Sequence, residues 1–270
     1  MDGSDPEELR AVAVRLAGEA AEVAARVRDR AIAHVRTKST STDVVTAADT
    51  EVERLLRRRL AELRPGDAVL GEEGGLCVSD AADPGQPCWV VDPIDGTVNY
   101  LYGYPWYSVS VAVTVDGAAV AGAVVEPATG RVWSAAVGGG ATLDGRPLRA
   151  SSADRLDLAL IGTGFSYHRG RRERQGALAA GLLPRVRDIR RFGSAALDLC
   201  SVAAGWLDGF YEHDINQWDW AAGALVASEA GATVHVPDPA GPLGDAIVVA
   251  APGIQARLTA ALAELGAGRV

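Results

Sequence analysis

The sequence has few cysteines, a single lysine and no long uncharged apolar run. Its three cysteines form no CxxC pair and no even-numbered framework, which predicts reduced thiols in a cytoplasmic protein. Lys38 is the only lysine among 26 basic residues, and the net charge of −9 argues against nucleic-acid or membrane-surface binding, which needs a basic field. No apolar run reaches membrane-spanning length, and the acidic first ten residues are not expected to be a secretory signal.

The 270 residues, 48% of them hydrophobic, are enough to bury a large core. Helical spacing predicts one helix from Pro6 to about Arg36 and, after a polar loop at 37–43, a second helix to about Leu63. Apolar segments such as CWVVD predict short buried strands that end in acids.

From Tyr107 the pattern has period two, which predicts an antiparallel meander closed by a hairpin at LDGRPL. After about Ala150, strands and helices alternate, as in an α/β lobe. The chain is therefore expected to form an N-terminal lobe of helices and antiparallel sheet at 1–150, followed by a C-terminal α/β lobe at 151–270, in one integrated unit.

Two aspartates lie three residues apart in WVVDPIDGTVNY, at the end of an apolar strand. Burying Asp92 and Asp95 is costly unless a positive charge compensates them. A loop in this position can hold cations through carboxylates and an anion through the free N–H groups of a following helix. A turn with aspartates at capping positions explains the pair equally well.

Three further acids lie at the ends of predicted elements. Glu72 follows a strand in GEEGG, Asp219 lies in the first turn of a predicted helix, and Asp49 lies where it could cap the second helix. Solvation, the helix dipole and capping explain each acid singly. Together, the acids suit hard divalent cations such as Mg²⁺, which bind carboxylates, water and substrate phosphate. Two such ions about 3.5–4 Å apart can promote phosphate-ester hydrolysis.

The motifs GEE, DPIDGTVNY and WD followed by AAG resemble the inositol monophosphatase family of lithium-sensitive, magnesium-dependent phosphomonoesterases. TDVVTAAD, RRFGSAALDLC and FYEHDINQWD extend the resemblance, which runs from about Asp43 to Pro252 and is closest to the actinobacterial members. It implies a mixed α+β and α/β fold, the fructose-1,6-bisphosphatase-like α-β-α-β-α sandwich with metals between the lobes. It also implies a homodimer that hydrolyses inositol 1-phosphate and related monoesters with two or three Mg²⁺ ions.

The resemblance also assigns residues to roles. One ion is expected at Glu72, Asp92 and the carbonyl of Ile94, and a second at Asp92, Asp95 and Asp219, with Glu72 serving a weaker third ion. The expected catalytic residues are Thr97, Asp49, Glu72 and Asp92, and Thr97, hydrogen-bonded to Asp49, orients the attacking water. Phosphate and polyol are expected to contact Asp95, Gly96, Thr97, Gly193, Ser194, Ala195, Glu212 and Asp219.

Substrate preference stays open. Asn216 and Ser194 stand where some animal members carry histidine and threonine, and histidinol phosphate or another sugar or nucleotide phosphate is an alternative substrate. A haloacid-dehalogenase-like phosphatase fits poorly, because its DxDGT motif is one residue shorter than the DxxDGT found here.

A role as a transcription-complex partner is the alternative of another class. Its candidate surface is the basic cluster His168–Arg174, extended by VRDIRR at 186–191, for which a solvated face is the simpler explanation. The loop at 37–43 matches a segment that is mobile in the family that the sequence resembles, and we expect it to close only with metal bound. GTGF at 162–165 is not a dinucleotide-binding loop in this context.

Overall fold

The computed structural model describes residues 5–31, 36–37, 44–77 and 85–270. In chain order, the helices are α1 Pro6–Ala31, α2 Ala47–Leu63, α3 Thr97–Tyr102, α4 Arg169–Leu182, α5 Ala195–Ala203, α6 Gln217–Glu229 and α7 Pro252–Glu264. The strands are β1 Arg36–Thr37, β2 Val44–Val45, β3 Ala68–Gly71, β4 Gly75–Cys77, β5 Pro87–Asp95, β6 Ser108–Val115, β7 Ala118–Glu126, β8 Arg131–Ala136, β9 Gly140–Leu143, β10 Arg146–Pro147, β11 Leu160–Thr163, β12 Asp188–Arg190, β13 Gly209–Glu212, β14 Thr233–His235 and β15 Ile247–Ala250.

An eight-stranded sheet in the order β10-β9-β8-β7-β6-β5-β3-β4 forms the first β layer. Only the β3–β5 pair is parallel among these described strands. Side chains of β5 alternate between its two faces: Trp89 and Val91 pack with α1 and α2, whereas Val90 packs with α5 and α6. The sheet is therefore covered by helices on both faces, and its central strands are apolar throughout.

Helices α5 and α6 form the middle layer between the two large sheets. Every residue of α6 from Ala221 to Ala227 is buried, as expected of a helix with apolar contacts all round. Small residues permit this close packing, because a Cβ atom added at Gly223 would lie 2.8 Å from the Cβ of Leu199.

A five-stranded sheet in the order β12-β11-β13-β15-β14 forms the second β layer. Strand β11 runs parallel to β12 and β13, and β15 runs antiparallel to β13 and β14. Helices α4 and α7 cover its outer face through a core that includes Leu178, Leu182, Ile254 and Leu258. The fold is thus an α-β-α-β-α sandwich, which confirms the predicted architecture.

The expected first helix is too long by five residues. It ends at Ala31 instead of about Arg36, because Arg36 and Thr37 pair with Val45 and Val44 as a two-stranded sheet. Residues 38–43 of the predicted closing loop lie outside the described residues. The described strands of the larger sheet end at Pro147, and those of the smaller sheet begin at Leu160. Within the part of the chain that the structure describes, no helix is long and apolar enough to cross a membrane.

Candidate active site

The end of β5 carries the two aspartates of the DPIDGT segment. Asp92 is 1% exposed and Asp95 is 7% exposed, and the pairing of β5 with β6 is irregular between them. The backbone N–H of Ile94 donates to Asp92 Oδ1 at 2.9 Å, so the backbone after Asp92 turns back on its own carboxylate. This irregularity brings both carboxylates to the same end of the sheet.

Gly96 lets the loop that follows β5 approach the middle layer. Its φ of +93° lies in the left-handed region, and an added Cβ would lie only 3.0 Å from the carbonyl oxygen of Gly193. Gly193 itself has a φ of +94°. Because neither glycine carries a side chain, the DPIDGT segment can lie against the start of α5.

Asp95 is held by the first residues of α5. Its Oδ2 accepts hydrogen bonds from Ser194 Oγ at 2.5 Å and from the N–H of Ala196 at 2.8 Å, and its Oδ1 accepts one from the N–H of Ala195 at 3.3 Å. Ser194 is fully buried behind Asp95. The contact that the structure gives Ser194 is thus with Asp95, and its predicted substrate contact stays a prediction.

A third aspartate comes from α6. Asp219 lies in the first turn of that helix and accepts a hydrogen bond from the N–H of Asn216 at 2.5 Å. One carboxylate oxygen from each of Asp92, Asp95 and Asp219 lies within 4.8 Å of the others. The sequence placed these acids at the ends of elements, and the fold brings the three together.

Glu72 reaches the same place from β3. Because β3 runs parallel to β5, with Gly71 opposite Val91, both strands end at the same edge of the sheet. The N–H of Glu72 donates to the carbonyl of Val91 at 3.3 Å, and Glu72 lines one cavity with the three aspartates.

These carboxylates lie in an environment that disfavours their charges. Burial, followed by the charge of Glu72, raises the pKa of both Asp92 and Asp219 well above the usual value. Burial also raises the pKa of Asp95 to about 6, although the hydrogen bond from Ser194 opposes the shift. A buried set of oxygen ligands that repel one another fits a hard divalent cation, which would neutralise them.

Thr97 joins this cluster to α2. Its hydroxyl oxygen lies 3.1 Å from Asp49 Oδ1 and 3.0 Å from the carbonyl oxygen of Ile94, and the hydroxyl can donate to either. Asp49 is fully buried and also accepts from the N–H of Thr46 at 2.8 Å, as the N3 residue of the capping box of α2. The structure thus contains the Asp49–Thr97 contact that the resemblance implied, together with the capping role that the sequence allowed.

A cavity of about 310 Å³ opens in front of the acids. Among the predicted site residues it is lined by Glu72, Asp92, Ile94, Asp95, Gly96, Thr97, Gly193, Ala195, Glu212 and Asp219. Asp49 and Ser194 lie behind this wall, in contact with Thr97 and Asp95. Glu212 lies at the end of β13 and belongs to the part of the wall that the C-terminal lobe forms. Burial raises the pKa of Glu212 to about 8, although the positive charge of Arg191 opposes the shift.

Sequence reasoning missed part of the cavity wall. The lining residues not assigned to the site are Phe165, Ser166, Tyr167, His168, Arg191, Asp214, Ile215, Asn216 and Trp218. Most belong to the segments that follow β11 and β13, which end at the same edge because the two strands are parallel. The sequence signal that these residues share is a position just after a strand, which was used above to identify acids alone.

Two arginines of the basic cluster His168–Arg174 are paired with acids. Arg171 pairs with Asp214 at 3.0 Å and with Asp245 at 2.7 Å, and Arg169 pairs with Glu173 at 3.2 Å. The cluster is therefore partly neutralised by neighbouring acids, and Arg171 ties α4 to the loop after β13.

A five-layer fold with a buried carboxylate cluster at the edge of its first sheet is suited to metal-assisted phosphatase chemistry. The chain belongs to the inositol monophosphatase family, whose family model matches residues 5–267. It is 55% identical over 275 residues to an inositol-1-monophosphatase of Mycobacterium leprae, covering 96% of this chain and 94% of the relative. It is 35% identical over 226 residues to the Nus factor SuhB of Pseudomonas aeruginosa, covering 83% of each chain. Among solved structures, Mycobacterium tuberculosis SuhB matches with a TM-score of 0.84 and 47% identity, over 98% of this chain and 99% of that one.

Proposed function

We propose that this protein hydrolyses inositol 1-phosphate and related phosphate monoesters with Mg²⁺ as its cofactor. The observation that carries the proposal is the cluster of Asp92, Asp95 and Asp219, with an oxygen of each within 4.8 Å of the others, at the wall of a cavity that also contains Glu212. The name of the Mycobacterium leprae relative supports the choice of substrate.

The clustered acids, together with the carbonyl of Ile94, would hold the ions. Glu72, Asp92 and the carbonyl of Ile94 would bind one ion, and Asp92, Asp95 and Asp219 a second, with Glu72 available to a third. When bound, Mg²⁺ activates water as a nucleophile and offsets the charge on the departing oxygen. The cluster supplies oxygen ligands alone, which is the donor set that Mg²⁺ prefers.

Thr97 would orient the attacking water. A hydroxyl group has one proton to donate and two lone pairs that accept. When that proton goes to Asp49, the lone pairs of Thr97 Oγ1 are left to accept a hydrogen bond from water. Asp49 is fully buried, and its hydrogen bond with the N–H of Thr46 fixes its carboxylate at the start of α2. It can therefore hold the hydroxyl in one orientation. The carbonyl of Ile94, the other acceptor near Thr97, would then be free for its role as a ligand.

The remaining cavity wall would bind the ester. Backbone N–H groups of Gly96 and Thr97 would hold the phosphate, and Gly193, Ala195 and Glu212 would bind the polyol together with Asp95 and Asp219. Ser194, which lies behind the wall, would act on the polyol through Asp95. Glu212 accepts hydrogen bonds from hydroxyl groups when it is ionised. The metal ligands other than Asp219 come from residues 1–150, and Asp219 and Glu212 come from residues 151–270, so we propose that the two lobes act as one catalytic unit.

Partner binding is the second candidate, and the name of the Pseudomonas aeruginosa relative favours it. The ion pairs of Arg169 and Arg171 argue against a free basic surface at His168–Arg174. We therefore keep the expectation that nucleic-acid or polymerase binding is absent. A homodimer, lithium sensitivity and a cytoplasmic location likewise stay predictions from the family resemblance and the reduced thiols.

The test is phosphate release at about pH 8, where activated water ionises. The esters are inositol 1-phosphate, histidinol phosphate, fructose 1,6-bisphosphate and a nucleotide 3′-phosphate, each with and without Mg²⁺. Magnesium-dependent release that is fastest on inositol 1-phosphate supports the proposal. Faster release from another ester would keep the chemistry and replace the substrate. No release from any ester, together with salt-sensitive binding to RNA or polymerase, would favour the partner role.

A further inference from the structure

Arg191 places an unpaired positive charge in an acidic cavity. It lies just after β12, is exposed and lines the cavity. Within the part of the chain that the structure describes, its guanidinium has no hydrogen bond or ion pair. Its neighbour Arg190 differs, because Arg190 Nη1 pairs with Asp188 Oδ2 at 2.5 Å. Of these adjacent arginines, Arg191 is thus the one available to a ligand.

The position of Arg191 is set by Gly193. An added Cβ at Gly193 would lie 2.3 Å from Arg191 Nη1, so the guanidinium lies directly against the backbone of the glycine. Gly193 is also the residue whose carbonyl packs on Gly96 beside the metal-binding acids. The guanidinium is therefore close to the site that would hold the phosphoryl group, on the side formed by the C-terminal lobe.

Arg191 and Glu212 face the same cavity and, among the described residues, are not paired with each other. Both residues line the same cavity, and the positive charge of Arg191 lowers the pKa of Glu212. Within the residues that the structure describes, these two side chains form no ion pair with each other. A hydroxyl group placed between them can donate to the carboxylate, and a neighbouring hydroxyl oxygen can accept from the guanidinium.

We propose that Arg191 is a specificity-determining residue that donates a hydrogen bond to a hydroxyl oxygen of the bound phosphate ester, beside the hydroxyl that binds Glu212. The proposal rests on the proposed function and names the chemistry that selects the substrate: adjacent hydroxyl groups on the carbon skeleton. A second phosphate group suits the space less well, because Glu212 and Asp214 line the same wall and repel an anion.

The experiment compares Arg191→Ala with unsubstituted protein on two esters at saturating Mg²⁺, and on fructose 1,6-bisphosphate as a third ester that carries a second phosphate. Inositol 1-phosphate carries adjacent hydroxyls, whereas p-nitrophenyl phosphate carries none. A hydrogen bond to a charged group is worth enough to change kcat/KM by roughly 10- to 100-fold. We expect that loss on inositol 1-phosphate, mainly through KM, and a change within about twofold on p-nitrophenyl phosphate. Arg172→Ala, an exposed arginine of α4 outside the cavity, is the matched control and should leave both esters unchanged.

Three outcomes would overturn the inference. An equal loss on both esters would make Arg191 a general contributor to activity or folding, and unchanged kinetics on both would remove it from the site. A larger loss on fructose 1,6-bisphosphate than on inositol 1-phosphate would assign Arg191 to a second phosphate. Failure of the proposed function looks different, because the unsubstituted protein would then release no phosphate from any ester, and the inference would fall with it.

Discussion

At the scale of single residues, the position of Glu212 depends on the absence of a side chain at Gly164. An added Cβ at Gly164 would lie 1.9 Å from Glu212 Oε1, which no real contact permits. Gly164 belongs to the GTGF segment that the sequence analysis set aside as a nucleotide loop. This glycine leaves room for a carboxylate that lies 48 positions later in the chain, so local sequence patterns could not show its role.

We expect Gly164→Ala to move Glu212 and to raise KM for inositol 1-phosphate roughly tenfold, the value of about one hydrogen bond to a charged group. Release from p-nitrophenyl phosphate should change little. Gly176→Ala in α4 is the matched control, because nothing lies within 4 Å of the added Cβ. A double-mutant cycle tests the link between Gly164 and Glu212: in a Glu212→Ala background, Gly164→Ala should have little further effect. Full additivity would contradict the assignment.

Thr97 carries a second prediction at this scale. Thr97→Val keeps the shape of the side chain but removes the hydroxyl that contacts Asp49, so kcat should fall by about 10²-fold or more. Thr97→Ser keeps the hydroxyl and should retain most of the activity. Steady-state phosphate release with Mg²⁺ titrated to saturation measures both variants. Equal kcat for the valine and serine variants would show that the hydroxyl has no role in the reaction.

At the scale of elements, α2 positions the GEEGG loop through Glu53. This side chain is 3% exposed. Its carboxylate accepts from the N–H of Glu73 at 2.7 Å and from the N–H of Gly74 at 2.8 Å, and it pairs with Arg57 at 2.8 Å. The loop that carries Glu72 is therefore fixed to the same helix that supplies Asp49.

Glu53→Ala should loosen this loop and weaken the metal site without touching it directly. The two N–H groups and Arg57 lose their acceptor, which we expect to lower the free energy of unfolding by roughly 1–3 kcal/mol. The Mg²⁺ concentration at half-maximal activity should rise. Glu51→Ala, an exposed position of the same helix, should change neither quantity. A destabilised protein with an unchanged Mg²⁺ requirement would restrict Glu53 to a structural role.

The elements differ in how well the sequence predicts them. The meander from β6 to β8 and the helices α2 and α6 follow from period and capping residues, and the acids at β5 and α6 follow from their places at element ends. Glu53 gives no such signal, because a glutamate in an amphipathic helix is usually solvated. Its role arises only when β3 and β5 pair in parallel and return the loop to α2. The cavity wall from Arg191 and Asp214 likewise depends on which strands become neighbours.

At the scale of the whole molecule, the acidic cluster opposes folding when no cation neutralises it. Unfolded carboxyl groups titrate near about pH 4, whereas in the folded protein the pKa of Asp95 is about 6 and that of Glu212 about 8. Between these values the folded state binds more protons than the unfolded state. The free energy of unfolding of the metal-free protein therefore falls as pH rises through this window.

We expect the melting temperature of the metal-free protein to be lower at about pH 8.5 than at about pH 5.5, since these acids lose their protons in between. Mg²⁺ binds the ionised carboxylates, so the gain in melting temperature on adding Mg²⁺ should be larger at the higher pH. Calorimetry in EDTA and in excess Mg²⁺ measures both quantities. A gain that is equal at the two pH values, or larger at the lower one, would contradict this coupling.

The central claim is that Asp92, at the meeting point of two strands and two helices, binds a cation that the reaction requires. The most direct measurement follows thermal stability and inositol 1-phosphate hydrolysis in the same Mg²⁺ titration, for unsubstituted protein and Asp92→Asn. We predict that the unsubstituted protein gains stability and activity together. The variant should be more stable than the unsubstituted protein without metal, because a buried repulsive charge is removed, and should gain neither stability nor activity from Mg²⁺. An Asp92→Asn protein that keeps its Mg²⁺-dependent activity would contradict the account.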